Sequence, residues 1–106
     1  MEGYATWKEQ FANQVKEKAT FYENFPKQGV TFMDLFSLTN DPAFFKMFND
    51  GTVKVLEEEV GQAGVDFNVI VGLESRGFIQ GPILAMHFGV PFVPIRKKGK
   101  LPGECY

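Results

Sequence analysis

An α/β fold, with parallel strands flanked by helices, is predicted by three features near the end of the sequence. Phe67-Asn68-Val69-Ile70-Val71 is a run of β-favouring residues, residues 78–88 read as a helix, and residues 90–95 form a second apolar run. Strand, loop, helix and strand make a βαβ unit, whose strands lie parallel through a right-handed crossover. The 106 residues suffice for one small domain, residues 1–106, and not for two.

The first element is a helix over residues 7–18. Trp7, Phe11 and Val15 recur every four residues, with Lys8, Glu9, Gln14 and Glu17 between them. Thr6 and Glu9 have the spacing of a capping box, in which each side chain satisfies a free backbone N–H of the other. The apolar stripe is narrow, as in a helix lying on a neighbour's surface. Phe25-Pro26-Lys27-Gln28-Gly29 is a loop punctuated by proline and glycine. Residues 30–36 alternate weakly, as a short strand or an extended loop.

Asp41-Pro42 opens a second helix, because aspartate caps free N–H groups and proline suits the first turn. Phe44, Met47, Phe48, Val55 and Leu56 give its buried side, and Gly51 weakens its middle. Glu57, Glu58 and Glu59 form a solvated end, and Gly61 and Gly64 mark the exit. In the βαβ unit, residues 72–77 form a tight loop. Pro82 is tolerated in the following helix only near its first turn. Gly89 is a C-cap glycine. Pro91 and Pro94 place the last strand at an edge or in irregular pairing.

Composition bounds the function. Apolar residues make up 44% of the chain, as in globular proteins. Twelve phenylalanines either thicken a small core or line a pocket or subunit interface. The net charge of -2 argues against a nucleic-acid surface spread over the chain. After Lys54, every basic residue is Arg76 or belongs to the cluster Arg96, Lys97, Lys98 and Lys100. The one cysteine, Cys105, cannot form an internal disulfide. No apolar run approaches the roughly 20 residues of a membrane helix, and Met1-Glu2-Gly3-Tyr4 lacks the features of a signal peptide. A cytoplasmic protein without membrane or nucleic-acid partners is expected.

Open parallel sheets bind ligands beyond the carboxyl ends of their strands. The first strand runs into Gly72-Leu73-Glu74-Ser75-Arg76-Gly77 and the second into Arg96-Lys97-Lys98-Gly99-Lys100, so both basic elements fall at one sheet edge. The first also opens a helix, whose N-terminus offers unpaired N–H groups and a favourable dipole. Arg76 adds a fork suited to phosphate oxygens. A phosphate or pyrophosphate site is the expectation. The glycine spacing fits neither a Walker loop nor a dinucleotide fingerprint. His87 is the only histidine and reads as a packed or surface residue. Ser75 lacks a partner for a catalytic triad, no metal-ligand cluster is evident, and structural roles are favoured for Asp34 and Glu74.

Three segments resemble one family. Residues 25–34, F-P-K-Q-G-V-T-F-M-D, are similar to the base-binding segment F-P-x-x-G-V-x-F-x-D of the adenine phosphoribosyltransferases, members of the type I phosphoribosyltransferase family. Residues 71–78, V-G-L-E-S-R-G-F, resemble that family's pyrophosphate loop. Residues 93–103, V-P-I-R-K-K-G-K-L-P-G, resemble its basic loop. The resemblance spans roughly residues 25–103.

The resemblance implies the N-terminal part of a phosphoribosyltransferase-type sheet, incomplete at its C-terminus. Residues 1–40 would form the N-terminal helix and adenine-binding segment, and residues 41–106 a partial α/β core. It implies purine salvage: adenine and phosphoribosyl pyrophosphate give AMP and pyrophosphate, with Mg²⁺ bound mainly through phosphoribosyl pyrophosphate. Phe32 would stack on adenine, and the backbone of Thr31 and Met33 would hydrogen-bond its edge. Ser75, Arg76 and Gly77 would hold pyrophosphate, joined by Arg96 and Lys100, within a homodimer whose basic loop serves the neighbouring subunit. The family's loop glutamate, its paired acids and its T-G-G-T-type phosphate loop come after the segments matched here, so no catalytic residue is assigned. The chain alone is expected to be inactive. The alternative is a non-catalytic fragment that binds purine or pyrophosphate, or that pairs with other subunits.

Overall fold

The structure, a computed structural model, describes residues 2–104, and Cys105 lies outside them. The elements in order are helix α1 (Glu2–Lys18), strands β1 (Thr20–Glu23) and β2 (Thr31–Asp34), a 3-10 turn (Leu35–Leu38), helix α2 (Pro42–Ala63), strand β3 (Ile70–Leu73), helix α3 (Gly77–Phe88) and strand β4 (Phe92–Ile95). They fall into two compact units, one ending at Leu56 and the other starting at Glu57, with α2 running through the boundary.

In the first unit, α1 starts five residues earlier than the periodicity of Trp7 predicts, and Thr6 lies inside the helix rather than capping it. The cause is Tyr4, which extends the aromatic stripe. Its ring stacks on Trp7 at 6.1 Å, Trp7 stacks on Phe11 at 5.1 Å, and Phe11 meets Phe48 of α2 at 6.3 Å. Lys54 sets its ammonium 4.4 Å from the Trp7 ring centre, a cation–π contact. Gly51 does not break α2. It is buried, and a Cβ there would collide with the Phe11 ring, so its bare backbone is the seat for that ring.

The N-terminus of α2 is capped as expected, with Asp41 Oδ1 accepting from the N–H groups of Ala43 and Phe44 at 3.1 and 3.2 Å. β1 and β2 form an antiparallel hairpin that pairs Tyr22 with Phe32 and Phe21 with Met33. Of the weakly alternating residues 30–36, only Thr31–Asp34 are strand. Asp34 then turns the chain: its Oδ1 accepts from Phe36 N at 3.0 Å, and its carbonyl accepts from Ser37 Oγ at 2.6 Å. Leu38, 1% exposed, closes the turn against the core.

In the second unit, β3 and β4 are parallel, with Ile70 opposite Phe92 and Leu73 opposite Ile95, as the βαβ pattern predicts. β3 starts three residues later than expected and continues through Gly72 and Leu73. Phe67 is left outside the strand and packs edge-on to Phe88 at 5.1 Å. α3 lies on the sheet with Gly81, Leu84 and Ala85 buried. Pro82 is its sixth residue, beyond the first turn, yet the helix runs on to Phe88. One missing backbone bond is outweighed there by packing against the sheet. Gly89 takes the left-handed conformation at φ 66°, and its N–H bonds the carbonyls of Ala85 and Met86.

Close approach of α3 to the strands depends on two glycines. A Cβ on Gly72 would lie 2.6 Å from the Gly77 carbonyl oxygen, and one on Gly81 would collide with the Phe92 ring. This contact fixes where α3 begins relative to the end of β3, and so positions the loop between them.

Candidate functional site

The carboxyl ends of β3 and β4 open into a cleft of about 650 Å³ lined by Leu73, Glu74, Ser75, Ile95, Arg96, Lys97 and Lys100. Two pieces of backbone build it. Residues 74–76 turn directly from β3 into α3, and the carbonyls of Ser75 and Arg76 accept from Phe78 and Ile79 at 3.1 Å. The N–H groups of Ser75, Arg76 and Gly77 have no hydrogen-bond partner among the described residues. They sit at the positive end of the α3 dipole, where an anion is favoured. The Glu74–Ser75 peptide is cis.

The second piece is the basic loop after β4. Lys100 N donates to the Lys97 carbonyl at 3.1 Å, and Gly99 takes φ 86°, so the loop doubles back. The ladder extends one step past the strands, with Glu74 N donating to the Ile95 carbonyl at 3.3 Å. That step sets Glu74 beside Arg96. The Arg96 guanidinium donates through Nε and Nη2 to the two Glu74 carboxylate oxygens at 3.2 and 2.9 Å, and through Nη1 to the Lys100 carbonyl at 3.0 Å. The hydrogen bond from Arg96, aided by its charge and that of Lys97, holds the Glu74 carboxyl below the usual carboxylate range. The same bond pushes Arg96 up.

Ser75, Arg96 and Lys100 of the expected pyrophosphate set therefore line one cleft. Arg76 and Gly77 line an adjoining cleft of about 390 Å³ against β3 and the start of α3. Sequence reasoning left Glu74 with a structural role and no partner. The signal was present: Glu74 and Arg96 are the next register pair after Leu73 and Ile95 in a parallel ladder.

The other candidate residues sit in the β1–β2 hairpin. Phe32 is half-buried, and its ring is edge-on to Phe25 at 5.2 Å, with Tyr22 a further 6.4 Å from Phe25. Phe25 and Tyr22 are exposed, so the three rings form an open aromatic surface. Along a strand, alternate residues direct their backbone groups to the same edge. Thr31 and Met33 therefore share an edge, and Phe32 faces its backbone to the opposite one. Asn24 shapes the loop with φ 56° and accepts from Gly29 N at 3.0 Å, while Phe25 N donates to the Val30 carbonyl at 3.0 Å.

No family model matches the chain. Adenine phosphoribosyltransferase 1 of Saccharomyces cerevisiae is 45% identical over 96 residues, which are 91% of this chain and 50% of that protein. Adenine phosphoribosyltransferase of Chlorobium phaeovibrioides is 44% identical over 91 residues, 85% of this chain and 49% of that protein. The chain spans about half the length of the curated relatives it matches. Among solved structures, the Saccharomyces cerevisiae adenine phosphoribosyltransferase complexed with an imino-altritol bisphosphate and adenine matches with a TM-score of 0.80 and 44% identity, over 92% of this chain and 56% of that one. The Trypanosoma brucei enzyme in complex with AMP, pyrophosphate and ribose-5-phosphate matches with a TM-score of 0.69 and 26% identity, over 89% of this chain and 39% of that one. By sequence and by fold, the chain belongs to the adenine phosphoribosyltransferase family and matches the N-terminal portion of its members.

Proposed function

We propose that this chain supplies the pyrophosphate-holding and adenine-stacking parts of an enzyme that makes AMP and pyrophosphate from adenine and phosphoribosyl pyrophosphate. The observation that carries the proposal is the cleft beyond β3 and β4. There, the unpartnered N–H groups of Ser75, Arg76 and Gly77 lie at the start of α3, at the same sheet edge as a folded-back basic loop, with Ser75 lining this cleft and Arg76 and Gly77 the adjoining one. In the reaction, the bond between the ribose carbon and pyrophosphate breaks and its electron pair leaves on pyrophosphate. A ring nitrogen of adenine bonds that carbon, and the adenine proton is released. The helix-end N–H groups, Arg76 and Lys100 stabilise the departing charge without rearranging. Arg96 lines the same cleft.

Phe32 offers a ring face for adenine. Thr31 and Met33, sharing a strand edge, hydrogen-bond the purine through their backbone. The complexes of the Saccharomyces cerevisiae relative with adenine, and of the Trypanosoma brucei relative with pyrophosphate and AMP, support both halves of this reading. Mg²⁺ fits as a companion of the substrate. Glu74 is the one carboxylate among the residues lining the cleft, and Arg96 occupies it, so the ion would be held by phosphate oxygens and would neutralise their charge. The reading includes purine salvage in the cytoplasm and pairing of two copies into a homodimer.

Arg76→Ala tests the site. Loss of a charge-assisted contact of about 1.5–3 kcal/mol should weaken pyrophosphate binding roughly 10- to 100-fold in a calorimetric titration. Unchanged affinity would remove the assignment.

A further inference from the structure

Arg96 opens the basic loop, and its side chain is fixed from within the protein. Nε and Nη2 donate to the two Glu74 carboxylate oxygens at 3.2 and 2.9 Å, and Nη1 donates to the Lys100 carbonyl at 3.0 Å. A guanidinium has five N–H donors. These three bonds leave one N–H on each terminal nitrogen without a partner among the described residues. The side chain is 31% exposed and lines the cleft beside Ser75, Lys97 and Lys100. Its two remaining donors can therefore meet phosphate oxygens while the other three stay engaged.

A bare carboxylate at an anion cleft opposes the ligand. An arginine held by nothing gives up rotamer freedom when it binds, a cost that preorganisation avoids. The Glu74–Arg96 contact acts on both counts, because the charges cancel and two parallel hydrogen bonds orient the planar fork. Glu74 is anchored in turn by the ladder, where its N–H donates to the Ile95 carbonyl at 3.3 Å, one step beyond the strands. From this geometry we infer that Glu74 is a positioning residue, which holds the Arg96 guanidinium so that its two remaining N–H groups meet pyrophosphate. Glu74 touches no substrate and acts through Arg96. The inference deepens the proposed function and rests on its pyrophosphate site.

The sign of one substitution tests it. Inorganic pyrophosphate is titrated calorimetrically into the unaltered chain, Glu74→Gln, Arg96→Gln and the combined variant, each checked for an unchanged far-UV spectrum. Arg96→Gln removes a ligand and should weaken binding about 10-fold or more. Glu74→Gln removes a negative charge beside an anion, which by charge alone would tighten binding. Positioning predicts the opposite, a weakening of about 5-fold or more, because Arg96 loses its support. In the Arg96→Gln background no guanidinium is left to position, and the same Glu74→Gln change should tighten binding about 2- to 5-fold. Tightening in both backgrounds would make Glu74 a repelling charge only, and equal weakening in both would make its role structural; either result overturns the inference. The Arg96 Nε–H resonance of the nitrogen-labelled chain gives a second readout that needs no variant. It should stay protected from solvent exchange at saturating pyrophosphate, and loss of that protection on binding would mean that Glu74 releases Arg96, contrary to the inference. An unaltered chain that does not bind pyrophosphate would instead overturn the underlying site assignment, and the positioning role with it.

Discussion

Phe32 and Glu74 show how a single side chain's surroundings decide what it can do. The Phe32 ring is half-buried and braced edge-on by Phe25 within an open aromatic surface, the setting of the proposed adenine stack. Base–aromatic stacking contributes about 1–3 kcal/mol, so Phe32→Ala should weaken adenine binding roughly 5- to 150-fold while leaving pyrophosphate binding unchanged in parallel titrations. Glu74 is different, because its charge is already used. Its carboxyl is held low chiefly by the Arg96 hydrogen bond. A group whose folded pKa is lowered stabilises the fold at pH above its unfolded value and loses that contribution as pH falls through the lowered one. A carbon-detected NMR titration should place the Glu74 midpoint below the ordinary glutamate value of about 4.3, and Arg96→Gln should move it back up. Asp34 was legible in sequence as a structural carboxylate, and its cap on Phe36 N gives that role a mechanism.

At the scale of elements, the parallel strands were legible because apolar runs, a proline-bearing edge and a C-cap glycine all pointed to one βαβ unit. The errors came where tertiary contacts override local punctuation. Gly51 reads as a weak point and Pro82 as tolerable only near the first turn, but α2 and α3 continue through them because Phe11 needs the bare backbone at Gly51 and the sheet holds α3 in place. β1 escaped notice because Thr20-Phe21-Tyr22-Glu23 follows α1 with only Ala19 between, and exposed residues on both sides of the strand carry no alternation. Gly72 is the element-level test. A methyl there meets the Gly77 carbonyl, which is backbone and cannot swing aside. Gly72→Ala should cost about 1–3 kcal/mol in a denaturant melt, and should weaken pyrophosphate binding by displacing the start of α3. At the other helix, Asp41→Ala removes a cap that accepts two N–H groups and should cost about 1 kcal/mol without affecting pyrophosphate binding.

Over the whole molecule, charge placement says more than charge total. A chain with net charge -2 has gathered every cation after Lys54 into one residue just before α3, Arg76, and one loop, both at the carboxyl edge of β3 and β4. Sequence order and strand direction were enough to bring these together, since the parallel sense fixes which strand ends share an edge. The division at Leu56 was not legible, because α2 runs through it without a break. The central claim is that this edge is the pyrophosphate site, and amide chemical-shift mapping tests it most directly. Adding inorganic pyrophosphate to the isotopically labelled chain should produce saturable shifts concentrated at Ser75, Arg76, Gly77 and residues 96–100, diminished by added salt as expected for exposed charges. Shifts centred elsewhere, or none at millimolar pyrophosphate, would contradict the account.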